Sequence, residues 1–268
     1  IKRRVYATSG PMDVLHMDGN DKLKRFGFAL HGCIDGFSRK LLWLTVATSN
    51  NDPLIVANYY INFISRFCRA PNTLRMDLGT ENVYCEELQK FFTNDDDSFL
   101  YAGSTRNQRI EAFWSRLKKF KLQWWIDFFE NMIKSRLHKP ACPFHKEVLL
   151  FTFMPILQAG LNDCLRTWNT RRIRQSAAAP GGVPEILFAI PFSVGCVNQG
   201  FPVDPEDVEV AKAVLGIDHH PVEIDEDIHN LLVCYVHVHQ LEVPRDPESG
   251  LSFYVTLLEC LEKDGFSI

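Results

Sequence analysis

The sequence lacks the features that most readily place a chain in a special class. It has no internal repeat, no low-complexity tract and no C-x-x-C pair among its cysteines. The absence of a repeat argues against repeat architectures. The cysteines are scattered through mostly apolar runs, so we expect buried thiols in a reducing compartment rather than a disulfide framework. They are Cys33, Cys68, Cys85, Cys142, Cys164, Cys196, Cys234 and Cys260.

Long hydrophobic runs are also missing. The longest, Val148 to Leu161, is interrupted by Thr152, Pro155 and Gln158. It is too short and too broken to span a membrane, so we expect no membrane partner. No secretory signal is evident at the start. Because the first residue is Ile rather than Met, we expect a fragment or a processed piece of a longer protein.

Basic residues are scarce in the last third of the chain. Residues 183–268 contain 3 Lys and Arg against 16 Asp and Glu, whereas residues 1–182 contain 26 against 17. The net charges are −13 and +9, so the overall charge of −4 hides a strong asymmetry. Such asymmetry is typical of a polyanion-binding front and an acidic rear. The alternative is two solvated surfaces without partners.

The rest of the composition is that of a globular protein. Of the 268 residues, 46% are hydrophobic and 23% are charged, enough to bury a core without disulfides. Strand-like and helical segments follow one another in the order β-β-β-α-β-α-β-α, which predicts an α/β fold with a mixed sheet flanked by helices. The segments are 12–18, 26–34, 40–47, a helix from Pro53, 73–76, a helix over 86–93, 99–102 and a helix over 106–134.

The remainder of the chain is predicted to extend this core. A long helix is expected over 147–168, and the sequence SAAAPGGVP at 176–184 marks a boundary. Beyond it, a helix is expected near 204–215 and a strand over 231–243, with His237 and His239 on one face, and a further segment of unassigned type covers 251–261. We therefore divide the chain into a core (1–135), a helical extension with a basic loop (136–182) and an acidic C-terminal segment (183–268).

Three acidic residues occupy positions where a metal site could form. Asp18 ends the first predicted strand, Asp77 ends the fourth, and Glu111 lies near the start of a helix. If those strands are adjacent and parallel, Asp18 and Asp77 project together at the edge where open α/β sheets place ligands. Three carboxylates with room for water and phosphate oxygens suit Mg²⁺ or Mn²⁺. Taken singly, each is more typical of a turn, a cap or a helix surface.

The segments around these residues share a family pattern. Residues 26–50, FGFALHGCIDGFSRKLLWLTVATSN, give a strand, an I-D-x-F-S-R turn and an apolar strand. HMDGN carries Asp18, DLGTEN carries Asp77, and NQRIEAFWSRLK carries Glu111, which follows Asp77 by 34 residues. Over residues 10–122 this series resembles the integrase catalytic core of retroviral-type integrases, insertion-sequence-like transposases and eukaryotic transposon-derived proteins. Residues 165–188 resemble the tail that follows the catalytic domain in such transposases.

The resemblance implies a ribonuclease-H-like mixed five-stranded sheet with a DDE active site. Asp18, Asp77 and Glu111 would hold two divalent ions, Mg²⁺ or Mn²⁺, which activate the attacking water or 3′-hydroxyl. The reaction would be cleavage and strand transfer of DNA, without a covalent protein–DNA intermediate. The same resemblance implies a homo-oligomer that acts in the nucleus, or in the cytoplasm before nuclear entry. The acidic C-terminal segment could mask the basic front or bind a protein partner.

Basic side chains near the third acidic residue and in a later loop are candidates for phosphate contacts. Ser115 and Lys118 lie four and seven residues after Glu111, on the same helix face, with a solvated surface as the alternative. The full set of DNA-binding candidates is Arg109, Ser115, Arg116, Lys118, Lys119, Lys121, Arg171, Arg172 and Arg174.

Other residues near these motifs are interpreted as structural. Trp114, Leu117 and Phe120 are expected in the core rather than stacked on bases. The segment HKPACPFH at 138–145 has a loosely zinc-like spacing, but a fourth ligand is missing, so no zinc is expected there.

Three functions stay open at this point. The first is an active DDE recombinase, and the second is a transposon-derived host protein that binds DNA or a protein partner without transposing. The third is a simple ribonuclease-H-type nuclease, which the basic residues after Glu111 disfavour. The intact set of three carboxylates favours metal binding but does not separate the first two.

Overall fold

The computed structural model describes residues 8–101, 107–175, 180–216 and 225–268. Ala102, Arg106 and residues 176–179 of the predicted segments lie outside these ranges. The strands are Val14–Asn20 (β1), Ala29–Asp35 (β2), Leu41–Ala47 (β3), Arg69–Ala70 (β4), Thr73–Met76 (β5), Phe99–Tyr101 (β6) and Phe201–Pro202 (β7).

The main sheet has five strands in the order β3-β2-β1-β5-β6. The first three strands form an antiparallel meander, and β5 and β6 extend it in parallel with β1. A separate short pair joins β4 to β7. The predicted mixed five-stranded sheet is therefore confirmed, whereas the apolar pattern did not indicate the two short strands of the separate pair, β4 and β7.

Helices cover both faces of the main sheet. The helices are Pro53–Phe67 (α1), Val83–Thr93 (α2), Gln108–Leu117 (α3), Gln123–Lys134 (α4), Pro143–Thr170 (α5), Pro184–Ala189 (α6), Pro205–Leu215 (α7), Glu226–Val238 (α8) and Pro247–Lys263 (α9). One apolar cluster packs α1, α2 and α7 on one face, and a second packs α3, α4, α5, α8 and α9 on the other. The start of α1 follows the predicted signals, because Asp52 caps the Leu54 amide and Pro53 opens the helix.

A π-helical turn over Lys118–Leu122 joins α3 to α4. Its i→i+5 repeat sets the buried residues Leu117 and Leu122 five apart instead of three or four. Phe120 is consequently turned outward and is 81% exposed, so its predicted place in the core is wrong. Trp114 and Leu117 are buried as expected.

The predicted strand over 231–243 is also wrong, because most of it forms α8. The run LLVCYVHV is rich in β-branched residues, which is typical of strands. However, Leu232 and Tyr235 are buried at helical spacing, and the Asp225 carboxylate accepts a hydrogen bond from the Ile228 amide at the helix start. His237 is exposed on this helix rather than sharing a strand face with His239.

The long helix α5 links the sheet to the C-terminal helices. It packs against β3 on one side and α9 on another, and Tyr254 and Leu257 of α9 are fully buried. By length and composition α5 is apolar enough to cross a membrane. Here Leu149, Phe153 and Leu157 of this helix are buried in the protein core. The division at residues 135 and 182 stays a prediction, and the apolar cluster around α5 contains residues from all three parts.

Candidate active site

The parallel strands β1 and β5 bring the two aspartates to one edge of the sheet. His16 is paired with Arg75, and continuing that register by two residues sets Asp18 beside Asp77. Because side chains alternate along a strand, Asp18 faces the same side as His16, the side that α3 covers. The predicted carboxylate site required these two strands to be adjacent and parallel, and they are.

Glu111 approaches this edge from the first turn of α3. Burial, together with the charges of Asp77 and Glu111, raises the pKa of Asp18 to about 7. Burial is also the main cause of the raised pKa of Asp77 and of Glu111, and the Asp77 charge adds to the latter. The three carboxylates therefore lie close enough to repel one another, and a cation among them would relieve that repulsion.

Asn107, immediately before α3, ties the helix start to both strands. Its side-chain amide donates to the Met17 carbonyl oxygen at 2.9 Å and, more weakly, to Asp77 Oδ1 at 3.4 Å. Its Oδ1 lies 2.7 Å from Nδ1 of buried His16, whose pKa is lowered by burial to about 3. The neutral His16 ring must then donate from Nδ1, so the Asn107 amide fixes its tautomer. Sequence reasoning gave Asn107 no role, although the NQRIE motif contains it.

Trp114 and Gly32 shape the surroundings of Asp18. Gly32 is paired with Asp18 across β1 and β2, and a Cβ on Gly32 would lie only 3.0 Å from Cη2 of Trp114. This close approach lets the indole Nε1 donate to Asp18 Oδ2 at 2.9 Å, a bond that lowers the pKa of Asp18 and favours its ionised form. Apolar periodicity correctly placed Trp114 in the core but could not show this polar contact.

An open cleft of about 230 Å³ lies beside the two aspartates. Its walls include further oxygen-bearing side chains, namely Asp21, Asn50, Asn51, Glu81 and Asn82. Within the described ranges, no group of three or more His, Cys, Asp or Glu side chains is arranged to hold a metal ion. The donors at this edge are nevertheless carboxylate and amide oxygens, the ligands that Mg²⁺ and Mn²⁺ prefer, so their chemistry fits such an ion.

The predicted DNA-binding residues fall into different environments. Arg109 is half-buried near His16, whose pKa it helps to lower. Arg116 and Arg171 come together over the Trp168 ring, with guanidinium carbons 5.6 and 3.8 Å from its centroid. The remaining candidates are exposed: Ser115, Lys118, Lys119, Lys121, Arg172 and Arg174.

The zinc-like segment contacts the C-terminal helix. His138 Nδ1 and His145 Nδ1 lie 3.0 and 2.7 Å from the hydroxyl of Tyr254 in α9. Both imidazoles are buried. This polar cluster anchors α9 to the start of α5.

A mixed five-stranded sheet with acidic residues at the ends of two parallel strands defines a ribonuclease-H-like α/β domain. Comparison with known protein families matches residues 5–188 to the integrase core domain, and the chain belongs to that family. Comparison with curated proteins finds no relative. Integrase core domains are of the polynucleotidyl transferase type, act on DNA and generally use divalent metal ions.

Proposed function

We propose that this chain is a DDE-type recombinase that cleaves DNA and transfers strands, with Asp18, Asp77 and Glu111 holding two divalent cations. The parallel register of β1 and β5 carries the proposal, because it sets Asp18 beside Asp77 where α3 contributes Glu111. Bound ions would supply activation of a water or 3′-hydroxyl and stabilisation of the leaving oxygen. We further propose that the chain acts as a homo-oligomer in the nucleus, or in the cytoplasm before nuclear entry.

The surrounding side chains would favour the charged form of Asp18, orient the helix that carries Glu111 and contact the DNA phosphates. The Trp114 N–H favours the ionised form of Asp18 against its burial. Asn107 holds the start of α3 against β1 and orients the helix that carries Glu111. Exposed Ser115 and Lys118, one and two turns after Glu111, would hold the phosphates that flank the reacting one.

A strand-transfer assay on a labelled DNA duplex, with Mn²⁺ or Mg²⁺, tests this proposal. We expect metal-dependent cleavage or strand transfer that Asp77→Asn abolishes while the circular dichroism spectrum stays unchanged. Asp95→Asn is the matched control, because Asp95 is an exposed aspartate of the loop before β6. Full activity of Asp77→Asn would refute the three-carboxylate site, as would an equal loss in the control.

A second candidate is a transposon-derived protein that binds DNA or a protein partner without transposing. The observation in its favour is an apolar groove of about 250 Å³ between α2 and α7, in which Phe91, Val210 and Val214 are exposed. Exposed apolar patches of this kind often mark protein interaction sites. DNA binding without strand transfer in either metal would favour this candidate over the first.

A further inference from the structure

A second cleft lies between the π-helical turn after α3 and the end of α5. Its volume is about 260 Å³, and it shares no lining residue with the cleft beside Asp18 and Asp77. Its apolar walls include Phe113, Phe120 and Trp168, and its basic side chains are Arg116, Lys121 and Arg171. We call it the aromatic cleft.

Within the described residues, one cation of the aromatic cleft, Arg171, has unsatisfied hydrogen-bond donors. The Nε and Nη2 atoms of Arg171 are buried and have no hydrogen-bond partner in the described part of the chain. Its guanidinium carbon lies 3.8 Å from the centroid of the Trp168 ring, a cation–π contact that helps to hold it in place. The acidic residue in the wall, Asp163, is already ion-paired with Arg166. The charge of this cleft therefore complements a phosphate.

Phe120 adds a stacking surface to these charges. The π-helical turn leaves its ring 81% exposed between Lys119 and Lys121, which are exposed as well. Exposed aromatic rings interleaved with basic side chains are typical of surfaces that bind single-stranded nucleic acid, where rings stack on bases and cations follow the backbone. A paired duplex cannot offer its bases to such a ring, because neighbouring bases cover their faces.

We propose that the aromatic cleft takes one unpaired nucleotide of the DNA substrate, with its base on Phe120 and its phosphate on Arg116, Lys121 and Arg171. This inference rests on the proposed function and adds a substrate feature to it. Phe120 follows Glu111 by nine residues, about 13 Å along the helix at about 1.5 Å per residue. That distance corresponds to about four base steps at about 3.4 Å each. The unpaired nucleotide would thus lie a few steps from the reacting phosphate.

Fluorescence anisotropy with two DNAs of equal length tests the inference. One is a fully paired duplex, and the other has the same sequence with four unpaired nucleotides at one end. We expect the wild-type chain to bind the frayed DNA more tightly. Phe120→Ala should weaken binding of the frayed DNA by about tenfold. It should change the affinity for the paired duplex by no more than about twofold. Phe120→Trp should restore the preference.

Phe192→Ala is the matched control, because Phe192 is 76% exposed and lies outside the aromatic cleft. Phe192→Ala should leave the affinities for the frayed DNA and for the paired duplex unchanged. An unchanged preference in Phe120→Ala, or an equal loss on both DNAs, would overturn the inference. Equal wild-type binding of the two DNAs, with Asp77-dependent strand transfer intact, would overturn it and leave the proposed function standing. Absence of binding to either DNA would overturn both.

Discussion

The indole nitrogen of Trp114 donates a hydrogen bond to Oδ2 of Asp18 over 2.9 Å, between residues 96 positions apart in the sequence. Burial of Asp18 disfavours its charged form, whereas this bond favours it. Trp114 is also part of the apolar cluster that fixes α3 on the sheet. The packing of that helix therefore helps to set the charge of the first aspartate.

Trp114→Phe should weaken the binding of Mg²⁺ near pH 7. Phenylalanine keeps most of the packing but cannot donate to Asp18, so the pKa of Asp18 should rise further above its ordinary value. Hydrogen bonds to charged groups contribute about 1.5–3 kcal/mol, which corresponds to a loss of about tenfold or more in affinity. Calorimetric titration with Mg²⁺ between pH 6 and 8 would measure the loss, which should shrink as the pH rises. Trp124→Phe, in an exposed residue of α4, is the control, and an equal effect of both changes would contradict this reasoning.

Asp77→Asn should remove the stabilisation that divalent cations give to the wild-type chain. The pKa values of Asp18, Asp77 and Glu111 are raised, so without metal the folded state holds protons that the unfolded state releases. Stability should therefore fall as the pH rises from about 4 to about 7, and metal should restore it most at the upper end.

Thermal melting with and without Mg²⁺ at pH 5.5 and 8 measures this linkage. The wild-type melting temperature should rise with metal, and more at pH 8. The melting temperature of the Asp77→Asn protein should change little when Mg²⁺ is added. Without metal, this variant should be at least as stable as the wild type. Asp95→Asn should respond like the wild type, and if it loses the response too, the metal effect is general screening.

Leu257→Ala should destabilise the whole chain, by roughly 2–5 kcal/mol. Leu257 of α9 is fully buried in the cluster that also holds α3 and α5. Chemical denaturation should show the loss in a single transition seen by both tryptophan fluorescence and circular dichroism. Val243→Ala, at an exposed position, should change stability by less than about 0.5 kcal/mol. Separate transitions in Leu257→Ala would instead show that the C-terminal helices unfold on their own.

The same packing affects how masking by the acidic segment can be tested. Deleting residues 183–268 would expose the apolar cluster around α5 along with removing the charge. Neutralising exposed acids of α7, such as Glu206, Asp207 and Glu209, is the better experiment. If these charges mask the basic residues 1–182, the neutralised variant should bind DNA more tightly than the wild type at low salt. The difference in affinity between the two proteins should vanish at high salt.

His138→Gln should flatten the acid side of the stability profile. Burial lowers the pKa of His138 from 6.5 to about 4, so between these values the unfolded state binds more protons than the folded one. The stability that His138 contributes is fully present above pH 6.5 and is lost as the pH falls toward 4, by about 3 kcal/mol. Denaturation at pH 4.5 and 7 should show a smaller difference in the variant. His237→Gln, at an exposed position of α8, should keep the wild-type difference, and an unchanged difference in His138→Gln would contradict the assignment.

Local signals predicted much of this fold. Alternating and continuous apolar runs marked β1, β2, β3 and β5, although β2 begins at Ala29 rather than Phe26. The Asp52 cap and Pro53 marked the start of α1. Two of the errors arose where local patterns conflict with packing. A β-branched run concealed α8, and a five-residue turn after Leu117 broke the helical period that had assigned Phe120 to the core.

The sequence by itself determined the three carboxylates, their order and the strand ends at which two of them lie, because apolar period and turn chemistry depend on neighbouring residues. Only the tertiary structure decided which side chains support them. Trp114 reaches Asp18 because Gly32 leaves room on the adjacent strand, and Asn107 meets His16 across 91 residues of sequence. Such contacts depend on how a helix packs across a sheet. That packing is set by the volumes and shapes of residues far apart in the chain, which no local pattern encodes.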